Sequence, residues 1–340
     1  MGENEKNRIY PNYYAYELRV NDRQLVNAQK NHFFSCINKI YRESYKFIYR
    51  GDKKDKLQSI YNVDGNQFHN NFHNPLFMMG AKANMLIGQH LTHVNEINIA
   101  EADDKVFRLI FKMLGTLLRR EFPFGATRTA MRHFREDEKE ITIFFRQQEN
   151  EQVFIDRINT LSPKQQIIVR DYYLALLHHI SKSEYYTASF LLSTTSNFNV
   201  AHKFSWNGES ENSDNPIIFF GWVLKRYEGI LNAPDSKILK RKIDMSLYHL
   251  PVYERSFFHY QEEVTLKGGL LPHHMLGYLY YHNNREIFSI NPALFDTDDS
   301  WNGVELPIDQ STFHQRIRDT LFGRYFTVSC EHNQFNQFFT

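Results

Sequence analysis

Pro216-Ile217-Ile218-Phe219-Phe220-Gly221-Trp222-Val223-Leu224 is the clearest candidate for a buried strand in this chain. A continuous apolar run of this length, preceded by a polar loop at 207–216, predicts a strand that is covered on both faces. Shorter strands are predicted around it, at 187–193, 243–249, 262–266 and 277–281, with turns at Gly268-Gly269 and Asn283-Asn284. The part of the chain after residue 182 is therefore expected to be rich in strands.

The part of the chain before residue 183 has a different, mainly helical pattern. A helix is predicted near 22–45, followed by a short strand over 45–52 that Gly51 ends. Residues 76–121 have apolar side chains at helical spacing, and Asp103 and Asp104 stand where a helix N-terminus favours negative charge. Ser162-Pro163 predicts the start of another helix, since Ser is a good cap and Pro suits the first position. One apolar face is expected on that helix, formed by Ile167, Ile168, Tyr172, Leu176 and Ile180. Between these helices, 141–145 is predicted as a strand.

These patterns predict an α+β fold with three segments. Residues 1–75 would hold an N-terminal helix and the first core strand. Residues 76–182 would form a helical insertion, and residues 183–340 would supply the β-rich remainder of the core. The polar residues that stand at the strand edges suggest a cleft between two small sheets.

Composition excludes several classes of protein. The chain has 340 residues, with 40 Lys and Arg against 39 Asp and Glu, so no overall basic field indicates a nucleic-acid partner. It contains no GxxxxGK[ST] and no GxGxxG after a strand, which argues against P-loop and Rossmann folds. Cys36 and Cys330 are too few and too far apart for a disulfide framework. The start of the chain has no apolar signal core and no run approaches 18 apolar residues, so we expect a cytoplasmic protein without a membrane span.

Histidine pairs are the main candidates for metal ligands. His69 and His73 are four residues apart, but their surroundings read as a loop and a third ligand is not evident. His178-His179 and His273-His274 are interpreted as buried or surface histidines. The sequence therefore predicts no metal site.

Three short segments carry residues whose chemistry would fit one site. Arg50 is a planar cation suited to a bidentate grip on a diphosphate. Gly51 allows a flat carboxamide to approach its backbone, and Phe204 offers a ring that can stack on a heteroaromatic group. Ser193 can orient a neighbouring carboxylate, and Glu263 supplies one negative charge. Each segment alone has an ordinary structural interpretation, as a strand-end ion pair, a strand-edge hydrogen bond or an exposed carboxylate.

Together these groups suit the cleavage of an N-glycosidic bond with a good leaving group. The transition state of such a reaction resembles an oxocarbenium ion, and a fixed carboxylate near the ribose hydroxyls stabilises its positive charge. The substrate that this set implies is NAD, with nicotinamide as the leaving group.

The three segments resemble the arginine–serine–glutamate (R-S-E) class of mono-ADP-ribosyltransferases, which includes clostridial toxins. The first is Tyr49-Arg50-Gly51. The second is Ser193-Thr194-Thr195-Ser196, with Ala201 and Phe204 eight and eleven residues after its first serine. The third is Gln261-Glu262-Glu263-Val264. The resemblance covers three patches and implies an ADP-ribosyltransferase core of two sheets.

The resemblance implies a role for each matched residue. Arg50, Gly51, Ser193, Thr194 and Phe204 would bind NAD, with Arg50 on the diphosphate and Phe204 stacked on nicotinamide. Glu263 would be the catalytic glutamate, supported by Ser193 and Arg50.

Other positions would recognise the acceptor. Gln261 would meet the acceptor side chain, and the preceding loop with Phe257 and Phe258 would read the target. Gln261 stands where the arginine-specific pattern has glutamate, which favours acceptors other than arginine. The separation of 143 positions from Arg50 to Ser193 implies that 76–182 is an insertion that docks a target or acts as a lid.

The resulting hypothesis is an NAD-dependent protein ADP-ribosyltransferase, a glycosyltransferase that transfers a pentosyl group. The amino-acid composition, rich in Asn, Lys, Phe and Tyr, suggests a bacterial effector or toxin that is translocated into a host cell to modify a host protein. Three alternatives stay open: an NAD glycohydrolase, a transferase acting on nucleic acid, and an inactive core that only binds.

Overall fold

The computed structural model describes residues 12–20, 23–42, 46–61, 102–121, 126–180, 191–223, 233–244, 248–253, 259–267 and 275–291. Contacts divide the chain into two units. A sheet unit comprises 1–81, 193–227 and 261–327, and a helical unit comprises 82–192, 228–260 and 328–340. The predicted segment boundaries after residues 75 and 182 lie outside the described residues.

Eight strands form one mixed sheet in the part of the chain that the structure describes. Its order is β2-β1-β8-β7-β5-β3-β4-β6. The strands are β1 Glu17–Val20, β2 Arg23–Gln24, β3 Lys46–Lys53, β4 Leu191–Thr195, β5 Pro216–Val223, β6 Glu263–Lys267, β7 Met275–His282 and β8 Arg285–Ile290. The pair β1–β8 is parallel, whereas β3–β5, β5–β7 and β7–β8 are antiparallel. The predicted α+β class is confirmed at this level.

The predicted central strand, β5, lies in the middle of the sheet. Its side chains from Ile217 to Phe220 are buried on both faces, as the continuous apolar run predicts. The predicted turn at Asn283 and Asn284 is also confirmed. Both residues have positive φ, 49° and 60°, which a two-residue hairpin turn requires and asparagine tolerates. This turn joins β7 to β8, a strand that the sequence patterns did not predict.

The prediction of two small sheets differs from the observed arrangement. The described strands form a single sheet because β4 pairs with β3 through one residue pair, Tyr49 with Thr195. By contrast, β3 pairs with β5 along its whole length. The sheet is thus nearly divided at the β3–β4 junction, where polar residues gather.

Among the described residues, the sheet unit contains three α-helices: α1 Asn27–Arg42, α2 Lys54–Tyr61 and α8 Phe198–Trp206. The helix predicted over 22–45 corresponds to α1, but its first residues instead form β2. The helical unit contains α3 Asp104–Arg119, α4 Ala126–Asp137, α5 Lys139–Arg146, α6 Asn150–Asn159, α7 Pro163–Ile180 and α9 Ser236–Lys242.

The ends of α3 show why it forms where predicted. The Asp103 side chain accepts a hydrogen bond from the Val106 backbone N–H at 3.0 Å, so it caps the helix. At the other end, Arg135 and Arg146 donate to backbone carbonyls of the last turn, including that of Leu118. Cations placed there satisfy carbonyls that have no partner within the helix.

Three local predictions in the helical unit were wrong. Residues 141–145 lie in α5 and not in a strand, because the aromatic pair Phe144 and Phe145 packs against Phe111 of α3 within a helical core. The helix α7 begins at Pro163 as predicted, but it is buried on every side from Val169 to His178 and not on one face only. The described residues 243–244 and 248–249 are not in the strand predicted there.

No helix within the described ranges is long and apolar enough to cross a membrane.

Candidate functional site: three strands at the polar end of the sheet

Arg50 lies on β3, and two of its contacts hold its guanidinium group in place. Its Nη1 donates to the Ser193 backbone carbonyl at 2.8 Å, and its Nη2 donates to Asp52 Oδ2 at 2.9 Å. Asp52 is two residues further along the same strand and so points to the same side as Arg50. The side chain of Arg50 is 23% exposed, so the group can still meet a ligand.

Asp52 is a buried carboxylate, only 5% exposed. Its Oδ1 accepts hydrogen bonds from Lys56 Nζ at 2.7 Å and from the Lys53 backbone N–H at 3.1 Å. Burial by itself would raise the pKa of Asp52. The charges of Arg50 and Lys56, together with these hydrogen bonds, outweigh it and lower the pKa. Asp52 is therefore ionised, and the cluster of Arg50, Asp52 and Lys56 carries a net charge of one positive unit.

Gly51 lies where α8 approaches β3. A Cβ atom added at Gly51 would stand 1.9 Å from the backbone oxygen of Ala201 and 2.8 Å from the backbone nitrogen of Ser205. No side chain fits in that space. Close packing thus explains why position 51 is glycine, independently of the predicted contact between its backbone and a carboxamide.

Polar side chains of β4 and the turn after it bind the chain that enters β6. Thr194 Oγ1 donates to the Val264 carbonyl, and Thr195 Oγ1 donates to the Gln261 carbonyl at 2.6 Å. The Ser196 backbone N–H donates to the Glu262 carbonyl at 3.0 Å. The predicted Ser-Thr segment thus serves first to hold the start of the glutamate strand in place.

These contacts also tie β4 to β6, its neighbour in the sheet. Residue 196 contacts residue 262, residue 195 contacts residue 261 and residue 194 contacts residue 264. Ser193 and Glu263 thus lie on neighbouring strands that several hydrogen bonds hold together.

Glu263 is the first residue of β6 and is half-buried. Thr265, two residues along the strand, donates from Oγ1 to Glu263 Oε1 at 3.4 Å. The structure thus brings Arg50, Ser193 and Glu263 onto three neighbouring strands, in the order β3, β4, β6.

The residue before the glutamate strand has an unusual backbone conformation. Glu262 has φ of 46°, which a residue with a side chain rarely adopts. Its carboxylate accepts from Asn197 Nδ2 at 3.1 Å and from Ser196 Oγ at 3.4 Å. These contacts stabilise the turn that directs Glu263 into the strand. Sequence reasoning missed this role of Asn197 and Glu262, although both adjoin the predicted motifs.

Of the predicted recognition residues, Gln261 and Phe204 lie in the described part of the chain. Gln261 ends a short 3-10 turn, His259–Gln261, and is half-buried directly before Glu262 and Glu263. Phe204 lies on α8, with 52% of its surface exposed, while Ala201 and Ser205 of the same helix are buried. Phe257 and Phe258 lie outside the described residues.

Sequence reasoning also missed the ionic neighbours of Arg50. Asp52 follows Arg50 at the two-residue spacing of a strand, and Lys56 follows Asp52 at the four-residue spacing of a helix. That pattern was available, but it required knowing that β3 passes directly into α2 at Lys54.

No group of three or more His, Cys, Asp or Glu side chains among the described residues could hold a metal ion. His69 and His73 lie outside those residues. Comparisons of the chain with protein-family models, with curated proteins and with solved structures found no match.

Proposed function

We propose that this chain is a mono-ADP-ribosyltransferase that moves ADP-ribose from NAD to a side chain of a target protein. The observation that carries the proposal is the convergence of Arg50, Ser193 and Glu263. Arg50 is bound to the backbone of Ser193, and Glu263 lies on the strand next to that of Ser193. Residues that are far apart in sequence thus lie on three neighbouring strands, and their chemistry is what the reaction needs.

NAD would bind along the junction of β3 and β4. Arg50 would hold the diphosphate, because a guanidinium fixed by two contacts presents its charge in one direction. The cluster that contains Asp52 and Lys56 keeps one net positive charge, which favours an anion there. Phe204, exposed on α8, would offer its ring to nicotinamide, and Gly51 and Thr194 would line the same end.

Glu263 would act on the transition state. The bond between ribose C1′ and the nicotinamide nitrogen breaks, and its electron pair leaves with nicotinamide. The Glu263 carboxylate would stabilise the resulting positive charge on the ribose, held in place by Ser193. A nucleophilic side chain of the target then bonds to C1′ and gives up its proton to solvent.

Gln261 would meet the acceptor, since it directly precedes the turn that sets Glu263. An uncharged amide at this position favours an acceptor other than arginine. The protein target would belong to a host cell, and the chain would act there as a translocated effector or toxin.

The test compares the wild-type chain with Glu263→Gln, which removes one charge and keeps the shape. Each protein is incubated with biotin-labelled NAD and a eukaryotic lysate, and both released nicotinamide and labelled protein are measured. We expect Glu263→Gln to lower both by about 100-fold or more, because the charge acts mainly in the transition state. Glu286→Gln is the matched control, a carboxylate on β8, five strands away in the sheet.

The other outcomes each contradict the proposal in a different way. NAD loss without a labelled macromolecule would indicate a glycohydrolase. A label that survives protease and is lost with nuclease would indicate a nucleic-acid acceptor. If NAD is neither bound nor consumed, the core is a binding module. Equal activity of Glu263→Gln and wild type would remove Glu263 from the site.

A further inference from the structure

Asp52 has no role in the reaction described so far, yet it is the most enclosed charged group beside Arg50. Both of its oxygens accept hydrogen bonds, Oδ2 from Arg50 and Oδ1 from Lys56 and the Lys53 backbone. A buried carboxylate is stable only when it is paired in this way. Because burying a charged group costs free energy, we expect the contacts of Asp52 to do more than stabilise the sheet.

We propose that Asp52 is a positioning residue that holds Arg50 and Lys56 side by side as a two-cation clamp for a diphosphate. The two cations contact the two oxygens of one carboxylate. The distance between them is therefore at most the width of that carboxylate plus the lengths of two hydrogen bonds. A diphosphate presents anionic oxygens at a comparable spacing. The proposal rests on the proposed function for the identity of the ligand, the diphosphate of NAD.

The structure favours this clamp because each cation reaches solvent from a fixed base. Arg50 is anchored at Ser193 and Asp52, on two different strands. Lys56 is anchored at Asp52 and is 55% exposed. The pKa of Asp52 is lowered, so the carboxylate stays ionised and keeps both contacts across the neutral range. A ligand then meets cations that folding has already oriented, so binding does not have to order them.

The two possible roles of Asp52, through its charge or by positioning Arg50, predict opposite changes in anion affinity when Asp52 is made neutral. If Asp52 acted only through its charge, Asp52→Asn would raise the local potential and bind an anion more tightly. If Asp52 positions Arg50, the same change releases one arm of the guanidinium and weakens binding. The direction of the change therefore separates the two roles.

The experiment measures ADP-ribose affinity by calorimetry for the wild type, Arg50→Ala, Asp52→Asn and the double variant. ADP-ribose keeps the diphosphate and omits nicotinamide. We expect Arg50→Ala to weaken binding by about 30-fold and Asp52→Asn by about tenfold. In the double variant, Asp52→Asn should add little, because it acts through Arg50. Glu209→Gln, which removes another lysine-paired carboxylate of this unit, should leave the affinity unchanged.

Steady-state kinetics give a second readout that a merely structural role would not move. Asp52→Asn should raise KM for NAD with little change in kcat, the reverse of Glu263→Gln. Lys56→Met should raise KM by about threefold and flatten the dependence of affinity on salt.

Three results would overturn the clamp. They are unchanged or tighter binding by Asp52→Asn, a full additional tenfold loss in the Arg50→Ala background, and no wild-type affinity for ADP-ribose or inorganic pyrophosphate. None of these decides the proposed function, which stands or falls on transfer that depends on Glu263. Conversely, ADP-ribose binding with the expected coupling would support the clamp even if no transfer were detected.

Discussion

Two buried carboxylates, one in each unit, are paired with arginine in contrasting ways. In α7, Asp171 Oδ1 accepts from Arg170 Nε at 2.9 Å and from Arg170 Nη2 at 2.6 Å, and both side chains are fully buried. In β3, Asp52 is nearly as enclosed, but its partners Arg50 and Lys56 reach solvent. The pair in α7 is sealed and can contribute only to folding, whereas the cluster in β3 is open and can also bind.

The same substitution in both places tests this difference and has the largest expected effect. Asp171→Asn removes the negative charge beside the buried Arg170 guanidinium group. We expect the free energy of unfolding to fall by about 3–5 kcal/mol, measured by urea denaturation. Asp52→Asn should cost distinctly less, because Arg50 and Lys56 can turn to water. An equal or larger loss with Asp52→Asn would show that the two clusters do not differ in this way.

Gly51→Ala is expected to have the next largest effect, and it tests how tightly the open region is packed. The new Cβ would lie 1.9 Å from the backbone oxygen of Ala201, so α8 must move away from β3. We expect a loss of about 1–3 kcal/mol in the free energy of unfolding, measured in urea.

A second variant makes the cause of that loss specific. Adding Ala201→Gly to Gly51→Ala should not restore stability, since the clash is with a backbone oxygen and not with the Ala201 methyl group. Recovery in the double variant would mean that side-chain crowding, and not the approach of the helix backbone, explains the glycine.

The strands that the sequence predicted best are those whose local pattern agrees with their environment. β5 has a continuous apolar run and lies in the centre of the sheet, and β3 was predicted to within a residue or two. Residues 141–145 were misread because aromatic residues suit a strand and a helix core equally well, and only contacts with α3 decide between them. The full burial of α7, charged residues included, likewise depends on packing that periodicity cannot report.

The candidate site shows the same limit at the level of single residues. Arg50, Ser193 and Glu263 could be singled out because their short motifs are distinctive. Asp52 could not, since a carboxylate near an arginine in sequence is usually exposed, and its burial depends on the strand continuing directly into α2. The turn at Glu262 was equally hidden, because its positive φ is imposed by contacts from β4 and the turn after it.

Lys54 offers a third kind of enclosed charge, one whose closest contacts are neutral. Its Nζ donates to the Tyr281 carbonyl at 3.2 Å and lies 5.1 Å from the centre of the Tyr280 ring. Burial lowers the pKa of Lys54 to about 8, and the charge of Asp214 opposes this only in part. The folded chain therefore releases this proton at a lower pH than the unfolded chain, in which the pKa is about 10.4.

The sign of the resulting pH dependence follows from linkage. Above pH 8 the unfolded state binds more protons at this lysine, so stability should rise with pH, by roughly 1 kcal/mol between pH 8 and 9.5 after allowance for solvent screening. The window ends there because tyrosines ionise near pH 10 in the unfolded chain, whereas burial raises the pKa of Tyr281 to about 12. Lys54→Met should remove the rise, measured as the difference in urea midpoints at the two pH values. A rise that persists in the variant would assign it to another group.

Glu209 gives the smallest expected effect, and its half-buried carboxylate is paired with a lysine that is 29% exposed. Its carboxylate accepts from Lys53 Nζ at 2.7 Å, Ser213 Oγ at 2.6 Å and Asn215 Nδ2 at 3.0 Å. These hydrogen bonds, that from Lys53 foremost, lower the pKa of Glu209 to about 2. Because both side chains of the pair keep some contact with solvent, Glu209→Gln should reduce stability by less than about 1 kcal/mol at neutral pH.

The pH and salt dependence of that small loss identify its origin. A lowered pKa contributes stability above the unfolded value, near 4.3, and this contribution disappears as pH falls toward 2. The difference between wild type and Glu209→Gln should therefore be constant above about pH 5, shrink steadily below it, and diminish in 1 M salt. A stability difference that changes with neither pH nor salt concentration would mean that the carboxylate acts through its shape alone. In that case, the contacts of Asp52, and not those of Glu209, would mark how close to the surface a carboxylate can lie and still act through its charge.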